Sequence, residues 1–314
     1  MPPKIVMICG PTATGKTKLG VALAKALNGE VVSADSMQIY QGMVIGTAAP
    51  TPEETEGIPH HMIGLVPPTE NYSVARYVAD ATACVDDILS RGKVPIVVGG
   101  TGLYLDALRK GRSFSAFVPE RGWREKLQAR AKEEGLPALH AELQRIDPEA
   151  AARLHPNDEK RIIRALEVFL ETGETITEHN KLTKDLPPRY DAAVIALTYA
   201  DRADLYRRID ARVDEMMKGG LAGEVRALLD AGVPRTCTAM QAIGYKELAD
   251  AVTEGGDLTG AAEEIKLRSR QYAKRQLTWF RRDESAHWIY LEKTPSFSSI
   301  LLDSTEFLRE KGLP

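Results

Sequence analysis

Gly10-Pro11-Thr12-Ala13-Thr14-Gly15-Lys16-Thr17 is the stretch that decides the fold of this chain. It follows an apolar run, Ile5-Val6-Met7-Ile8-Cys9, that reads as a buried strand. It opens a helical pattern, Leu19, Val21, Leu23, Ala24 and Leu27, that ends at Asn28-Gly29. A strand, a Gly-rich turn and a helix in that order give the G-x-x-x-x-G-K-[ST] pattern the context it needs. The glycines let backbone N–H groups curl around a phosphate at the positive end of the helix. Lys16 adds a point charge, and the Thr17 hydroxyl is the expected Mg²⁺ ligand. A plain strand–turn–helix is the competing reading, and it leaves the agreement of the pattern with its context unexplained. A phosphate-binding loop is still not an ATPase, so its ligand must be read from the surroundings.

Downstream, Glu30-Val31-Val32-Ser33 reads as a second strand and delivers Asp35 to its carboxyl end. Ligands sit at that edge of open α/β sheets, so Asp35 is expected in the same crevice as the phosphate loop, with helix capping as the alternative. Residues 42–70 are rich in Gly, Pro and Thr and read as irregular chain. Their pair His60-His61 has no third ligand nearby, which favours packing over metal. Ser73 caps a long amphipathic helix, and Lys93–Val98 is a third buried strand. That strand ends in Gly99-Gly100-Thr101-Gly102, which should bring Thr101 toward the phosphate loop. It does not end in the acid that many P-loop NTPases use to hold Mg²⁺, which argues against routine nucleotide hydrolysis.

From about residue 115 to 189 the pattern is wholly helical, before Tyr190–Thr198 returns to a buried strand. The expected fold is therefore α/β: a P-loop NTPase-like core with a parallel sheet flanked by helices, plus an inserted all-helical subdomain. The core would comprise residues 1–114 and 190–314, and the insertion 115–189. On the insertion, Lys160, Arg161 and Arg164 cluster one turn after His155-Pro156-Asn157-Asp158, where a solvated helix face is the plain alternative. The last half also holds Ile265–Arg282, which carries seven basic residues and no acid. At about 100° per residue, Ile265, Tyr272, Ala273, Trp279 and Phe280 form an apolar stripe flanked by Lys266, Arg270 and Lys274 on one side. Arg268, Arg275 and Arg282 flank the other.

The 314 residues carry a net charge of −3, with 43% hydrophobic and 27% charged residues, which excludes wholesale disorder and global basicity. A basic helix in such a chain is a local footprint for a polyanion, unless acidic neighbours merely balance it. The three cysteines, Cys9, Cys84 and Cys237, lack metal-ligand spacing. The start runs straight into the first strand, leaving no room for a signal peptide, and no apolar run approaches the about 18 residues of a membrane span. A cytoplasmic protein with no membrane partner is expected.

Taken together, the motifs resemble the tRNA dimethylallyltransferases (tRNA isopentenyltransferases). The resemblance is carried by Gly10–Thr17, Ser33–Tyr40, Gly46-Thr47-Ala48, Gly99–Tyr104, His155–Asp158 with Arg161 and Arg164–Glu167, Ile243-Gly244-Tyr245 and Ala273–Trp279. These recur in the family's order from the first strand to about residue 282. Two positions depart from it: Ala49, where a lysine is expected before Pro50, and Val44, where an acid is frequent.

The resemblance implies transfer of a dimethylallyl group from dimethylallyl diphosphate to N6 of the adenine 3′ of a tRNA anticodon. It implies that Gly10, Pro11, Thr12, Ala13, Thr14, Gly15, Lys16 and Thr17, with Mg²⁺ and Arg208, hold the diphosphate. Asp35 would orient N6 and take its proton, with Thr101 and Lys16 as further catalytic groups. Ser36, Met37 and Gln38 would line the adenine pocket beside Asp35. Lys160, Arg161, Arg164, Arg270, Lys274 and Arg275 would grip RNA phosphates. A monomer is expected on the same ground. The rivals are an ATP-dependent small-molecule kinase, an adenylate isopentenyltransferase and a non-catalytic RNA-binding module.

Overall fold

The computed structural model describes residues 2–111, 122–184 and 187–313. The chain opens with β1 (Lys4–Cys9), α1 (Lys16–Ala26), β2 (Gly29–Ser33), α2 (Pro52–Thr55), β3 (His60–His61), α3 (Val74–Ser90), β4 (Val94–Val98) and α4 (Gly102–Lys110). Then come α5 (Trp123–Glu133), α6 (Leu136–Ile146), α7 (Pro148–Arg153), α8 (Glu159–Thr172) and α9 (Ile176–Lys184). The sheet resumes with β5 (Asp191–Tyr199), followed by α10 (Arg202–Lys218), α11 (Leu221–Asp230), α12 (Tyr245–Glu254), α13 (Leu258–Phe280), β6 (His287–Leu291) and α14 (Phe297–Glu310).

All six strands are parallel, in the order β3-β2-β4-β1-β5-β6. The register sets Ser33, Val98, Ile8 and Ile195 in one row across four strands. The loops that begin after that row, carrying Asp35, Thr101 and Gly10–Thr17, therefore leave the same carboxyl edge at one level. Gly10 is required where it stands. Its φ is 136°, and a Cβ there would lie 2.2 Å from the Leu197 carbonyl oxygen of β5. Val6, Ile8, Leu19, Leu23, Ile195 and Leu308 join the sheet to α1 and α14 in one apolar core.

Two compact units result, one built from residues up to 111 and from 188 onward, the other from residues between them. The second unit has its own core of Leu127, Leu139, Leu143, Ile162, Ile163 and Leu166. The expected boundary at 189 shifts slightly, because the Arg189 amide donates to the Arg109 carbonyl at 3.0 Å within the first unit. The expected boundary at 115 lies outside the described residues. Three elements exceed the sequence reading: the short α2 and β3 inside the 42–70 segment read as irregular, and α9 in the insertion. No helix among the described residues is long and apolar enough to cross a membrane.

His60 and His61 are engaged by hydrogen bonds rather than grouped with metal ligands: His60 Nδ1 meets the Ile58 carbonyl and His61 Nε2 meets Glu30, both at 2.8 Å. Glu30 is buried in β2 and also accepts from Arg91 Nη2 and Lys93 Nζ, each at 2.8 Å. Arg91, with Lys93 and His61 and against the opposing effect of burial, holds the Glu30 carboxyl well below the usual range. Such a carboxylate adds stability that is fully present above its unfolded pKa of about 4.3 and is lost as pH falls through the lowered folded value. Glu30→Gln should therefore cost about 1–3 kcal/mol at neutral pH. Urea unfolding should show that gap narrowing once the pH drops below the ordinary carboxylate range.

Candidate active site

The phosphate loop folds around its own polar groups. Gly15, at φ 80°, starts α1 without a side-chain cap, and the first turn of that helix holds no acid, so its leading N–H groups are left for an anion. Thr14 Oγ1 and Lys16 Nζ both donate to the Pro11 carbonyl, at 3.0 and 2.6 Å. Burial, helped by the positive charge of Arg212 and opposed by Asp35, pushes the Lys16 ammonium down to about 8. Arg212 is itself lowered by burial and by Arg208, one helical turn away on α10. Lys16 and Arg212, each lowered by burial and by a neighbouring cation, make a site that an anion relieves, while Arg208 beside them pairs with Glu215 at 3.3 Å.

That cavity, about 920 Å³, is lined by Thr12–Thr17, Asp35–Gln38, Arg208, Arg212 and Arg275. Asp35 Oδ1 accepts from the Met37 amide at 2.8 Å and, more weakly, from the Gln38 amide at 3.4 Å. Asp35 thus caps the turn that follows it rather than a helix, and these bonds occupy one oxygen only. Thr101 Oγ1 accepts from the Ser36 amide at 3.1 Å, so its hydroxyl ties the 35–38 turn to the end of β4. Gln38 lines the cavity with both ends of its amide engaged. Its Oε1 takes the hydroxyl of Ser33 at the end of β2 at 2.8 Å, and its Nε2 braces the 44–49 loop by donating to the Thr47 and Ala48 carbonyls at 3.2 Å. Ala49 and Val44, the departures from the family pattern, both line the cavity.

Helix α13 divides its charges. Lys266 pairs with Asp214 and Glu263, Arg268 with Glu264, and Arg270 with both oxygens of Asp210 at 2.6 and 2.7 Å. Arg270, expected as a phosphate contact, is thus already paired with Asp210 of α10. Arg275 lines the cavity, with its guanidinium over the Tyr272 ring, and Lys274 is exposed with no ion pair among the described residues. On α8 of the second unit, Lys160 is exposed and Arg161 pairs with its own cap, Asp158. Arg164 and Arg124 both reach the buried Glu167, so Arg164 is likewise not a bare cation.

Two site residues escaped the sequence reading. Arg212 was legible as the i+4 partner of Arg208, a spacing that puts both on one face of α10. Gln276 was hidden by its polarity. It is buried within the α13 stripe, accepts from the Thr12 amide at 3.1 Å and donates to the Gly100 carbonyl at 2.9 Å, clasping the phosphate loop to the β4 turn.

The donor set suits Mg²⁺. That ion keeps several waters and takes one or two protein oxygens plus substrate phosphates, rather than a full protein cage. Thr17 supplies such an oxygen in the cavity, while no group of three or more His, Cys, Asp or Glu among the described residues is arranged to hold a metal.

The chain resembles known proteins over nearly its whole length. The IPP transferase family model matches residues 38–283, and the isopentenyl transferase model matches 3–63. A tRNA dimethylallyltransferase of Geobacillus thermodenitrificans is 49% identical, covering 95% of this chain and 94% of the relative. One from Caldanaerobacter subterraneus is 47% identical, covering 98% of both. Among solved structures, the tRNA isopentenylpyrophosphate transferase of Bacillus halodurans superposes with a TM-score of 0.73 at 43% identity, covering 98% of this chain and 96% of that one. A eukaryotic dimethylallyltransferase acting on tRNA gives 0.81 at 31% identity, covering 98% and 80%.

Proposed function

The chain belongs to the IPP transferase family, whose curated relatives are tRNA dimethylallyltransferases, and on that premise we propose the following reaction. The protein transfers a dimethylallyl group from dimethylallyl diphosphate to N6 of the adenine 3′ of a tRNA anticodon, releasing diphosphate. The observation that supports this most is the cavity that brings a phosphate loop and its cations together with the Asp35 carboxylate.

The α1 N–H groups, Lys16, Arg208 and Arg212 bind the diphosphate, Lys16 exchanging its Pro11 contact for a phosphate oxygen. Thr17 would hold Mg²⁺, which would add neutralising charge at the leaving group. The bond between C1 of the prenyl chain and the diphosphate oxygen breaks, and its electron pair leaves with the diphosphate. The preorganised cations stabilise the charge that grows there. The N6 lone pair forms the new N–C bond, and the free oxygen of Asp35 accepts the N6 proton. Because the Met37 amide holds Oδ1, the carboxylate keeps its orientation as the proton moves. Thr101 acts one step back, holding the turn that carries Asp35.

Reaching N6 requires the adenine to leave the anticodon-loop stack, which costs less for a loop base than for a paired one. Lys274 and Arg275 take RNA phosphates, as does Lys160 on the second unit. Binding of tRNA should therefore weaken linearly in log–log with salt. Reversing the charge of Lys274 and Arg275 together should flatten that slope by about 0.7–0.9 per cation, whereas Arg270→Gln should act on stability instead. Filter binding across a salt series checks this, and an unchanged slope in the double variant would contradict it.

A small-molecule kinase would share the phosphate loop, but β4 runs from Val98 into Gly99-Gly100 with no acid for its metal. Incubating enzyme and tRNA with labelled dimethylallyl diphosphate or with γ-labelled ATP separates the two. Label is expected in tRNA only from the prenyl donor.

A further inference from the structure

We propose that Glu224 is a positioning residue that fixes the depth of the donor-tail pocket and thereby selects a five-carbon prenyl chain over longer ones. The proposal rests on the reading of the cavity as the donor site. On α10 the cavity-lining side chains Arg208, Arg212 and Met216 recur every four residues and share one face. The cations end at Arg212. One turn on, about 6 Å at 1.5 Å per residue, the face becomes the thioether of Met216. A diphosphate held at the cationic end therefore sends its carbon chain toward Met216.

Beyond Met216 the wall is apolar and belongs to other elements. Ile45 Cγ2 lies 3.9 Å from where a Cβ on Gly219 would sit, just past the end of α10. Leu221 and Ile243 line the cavity beside it. Ile45 belongs to a loop that runs between the buried Met43 and Ala49, with the neighbouring Val44 side chain exposed.

One carboxylate latches the near end of that loop. Glu224 Oε2 accepts from the Val44 and Ile45 amides at 2.9 and 2.8 Å, and Oε1 accepts from the Gly46 amide at 3.1 Å. Oε1 also takes the hydroxyl of the fully buried Tyr245 at 2.5 Å. Three successive N–H groups converging on one point make an anion nest, and here the protein's own carboxylate fills it. The loop is pressed against Tyr245 as well: a Cβ on Gly46 would meet that ring at 2.4 Å. From the far side Gln38 grips the Thr47 and Ala48 carbonyls. A wall pinned at both ends cannot recede for a second isoprene unit.

The test compares dimethylallyl and geranyl diphosphates as donors to the same tRNA. In Glu224→Gln the new amide N–H points its own hydrogens at the loop's N–H groups, so the latch opens. The ratio of kcat/KM for the ten-carbon donor to that for the five-carbon donor should rise by about tenfold or more. The affinity for inorganic diphosphate, which probes only the cationic end, should stay within twofold or so of wild type. Met216→Ala deepens the tail pocket without touching the latch and should move the ratio the same way, which keeps the test decisive if the first variant folds poorly. An unchanged ratio in both variants, or a parallel fall for both donors that tracks the melting temperature, would overturn the proposal. A wild-type enzyme that transfers no dimethylallyl group at all would instead overturn the reading of the cavity beneath it.

Discussion

Replacing Asp35 by asparagine is expected to slow dimethylallyl transfer by about 10²–10⁴-fold, the usual range for loss of a general base. The adenine amine is a weak nucleophile because its lone pair is delocalised into the ring, so it must shed its proton as the N–C bond forms. Asparagine preserves the acceptor that Met37 uses at 2.8 Å, and the 35–38 turn keeps its shape. The loss should therefore fall on kcat, with tRNA affinity little changed. Asp35→Ala removes the acceptor too and adds a cost in turn stability, so the asparagine variant is the cleaner probe. Single-turnover rates with preformed enzyme–tRNA complex separate the two effects. Near-normal turnover in Asp35→Asn would show that the proton leaves by another route.

Lys16→Ala should lower kcat by about 10²–10³-fold, as removal of one preorganised donor to a developing anion does elsewhere. The loss exceeds that of a simple binding group, because the charge on the diphosphate grows as the C–O bond breaks. The lysine also predicts a pH dependence. Its pKa in the free enzyme is pulled down to about 8, so the ammonium is intact below that value and is lost as pH rises through it. The kcat/KM for the donor reports the free enzyme and should fall on the alkaline side of about pH 8. Bound diphosphate supplies the missing counter-charge and shifts the proton equilibrium back, so kcat should hold to higher pH. Lys16→Arg retains its charge and should lose the alkaline limb of the profile. A kcat/KM profile unchanged by that substitution would remove Lys16 as its source.

The sequence is most readable where one local rule suffices. Ile5–Cys9 followed by Gly10–Thr17 fixes a strand, a turn and a helix by chain-local chemistry alone, and parallel pairing then carries Asp35 and Thr101 to the same edge. Periodicity also finds α13 and its apolar stripe. It fails for whatever lies across a gap in the chain. Arg270 appears as one of seven free cations in the sequence, but Asp210 sits 60 residues away and faces it only once α10 packs beside α13. Gln38 is placed on the adenine pocket by the resemblance, but its partners Ser33, Thr47 and Ala48, which use both ends of the amide, appear only in the fold. Gln276 breaks the stripe as a polar residue and turns out to be buried for that reason, since only an amide can accept from Thr12 and donate to Gly100 at once. The two-residue β3 is too short to carry any period, and its register with β2 is what exposes it.

The central claim is that one cavity brings a prenyl diphosphate to the exocyclic amine of a tRNA adenine. It is tested most directly by incubating the enzyme with unmodified tRNA, Mg²⁺ and dimethylallyl diphosphate, digesting the tRNA and weighing its nucleosides. The account predicts an adenosine heavier by one dimethylallyl group in place of one hydrogen, at the position 3′ of the anticodon, with diphosphate released in equal amount. Diphosphate release without a modified adenosine, or the prenyl group on free nucleotide and not on tRNA, would contradict it.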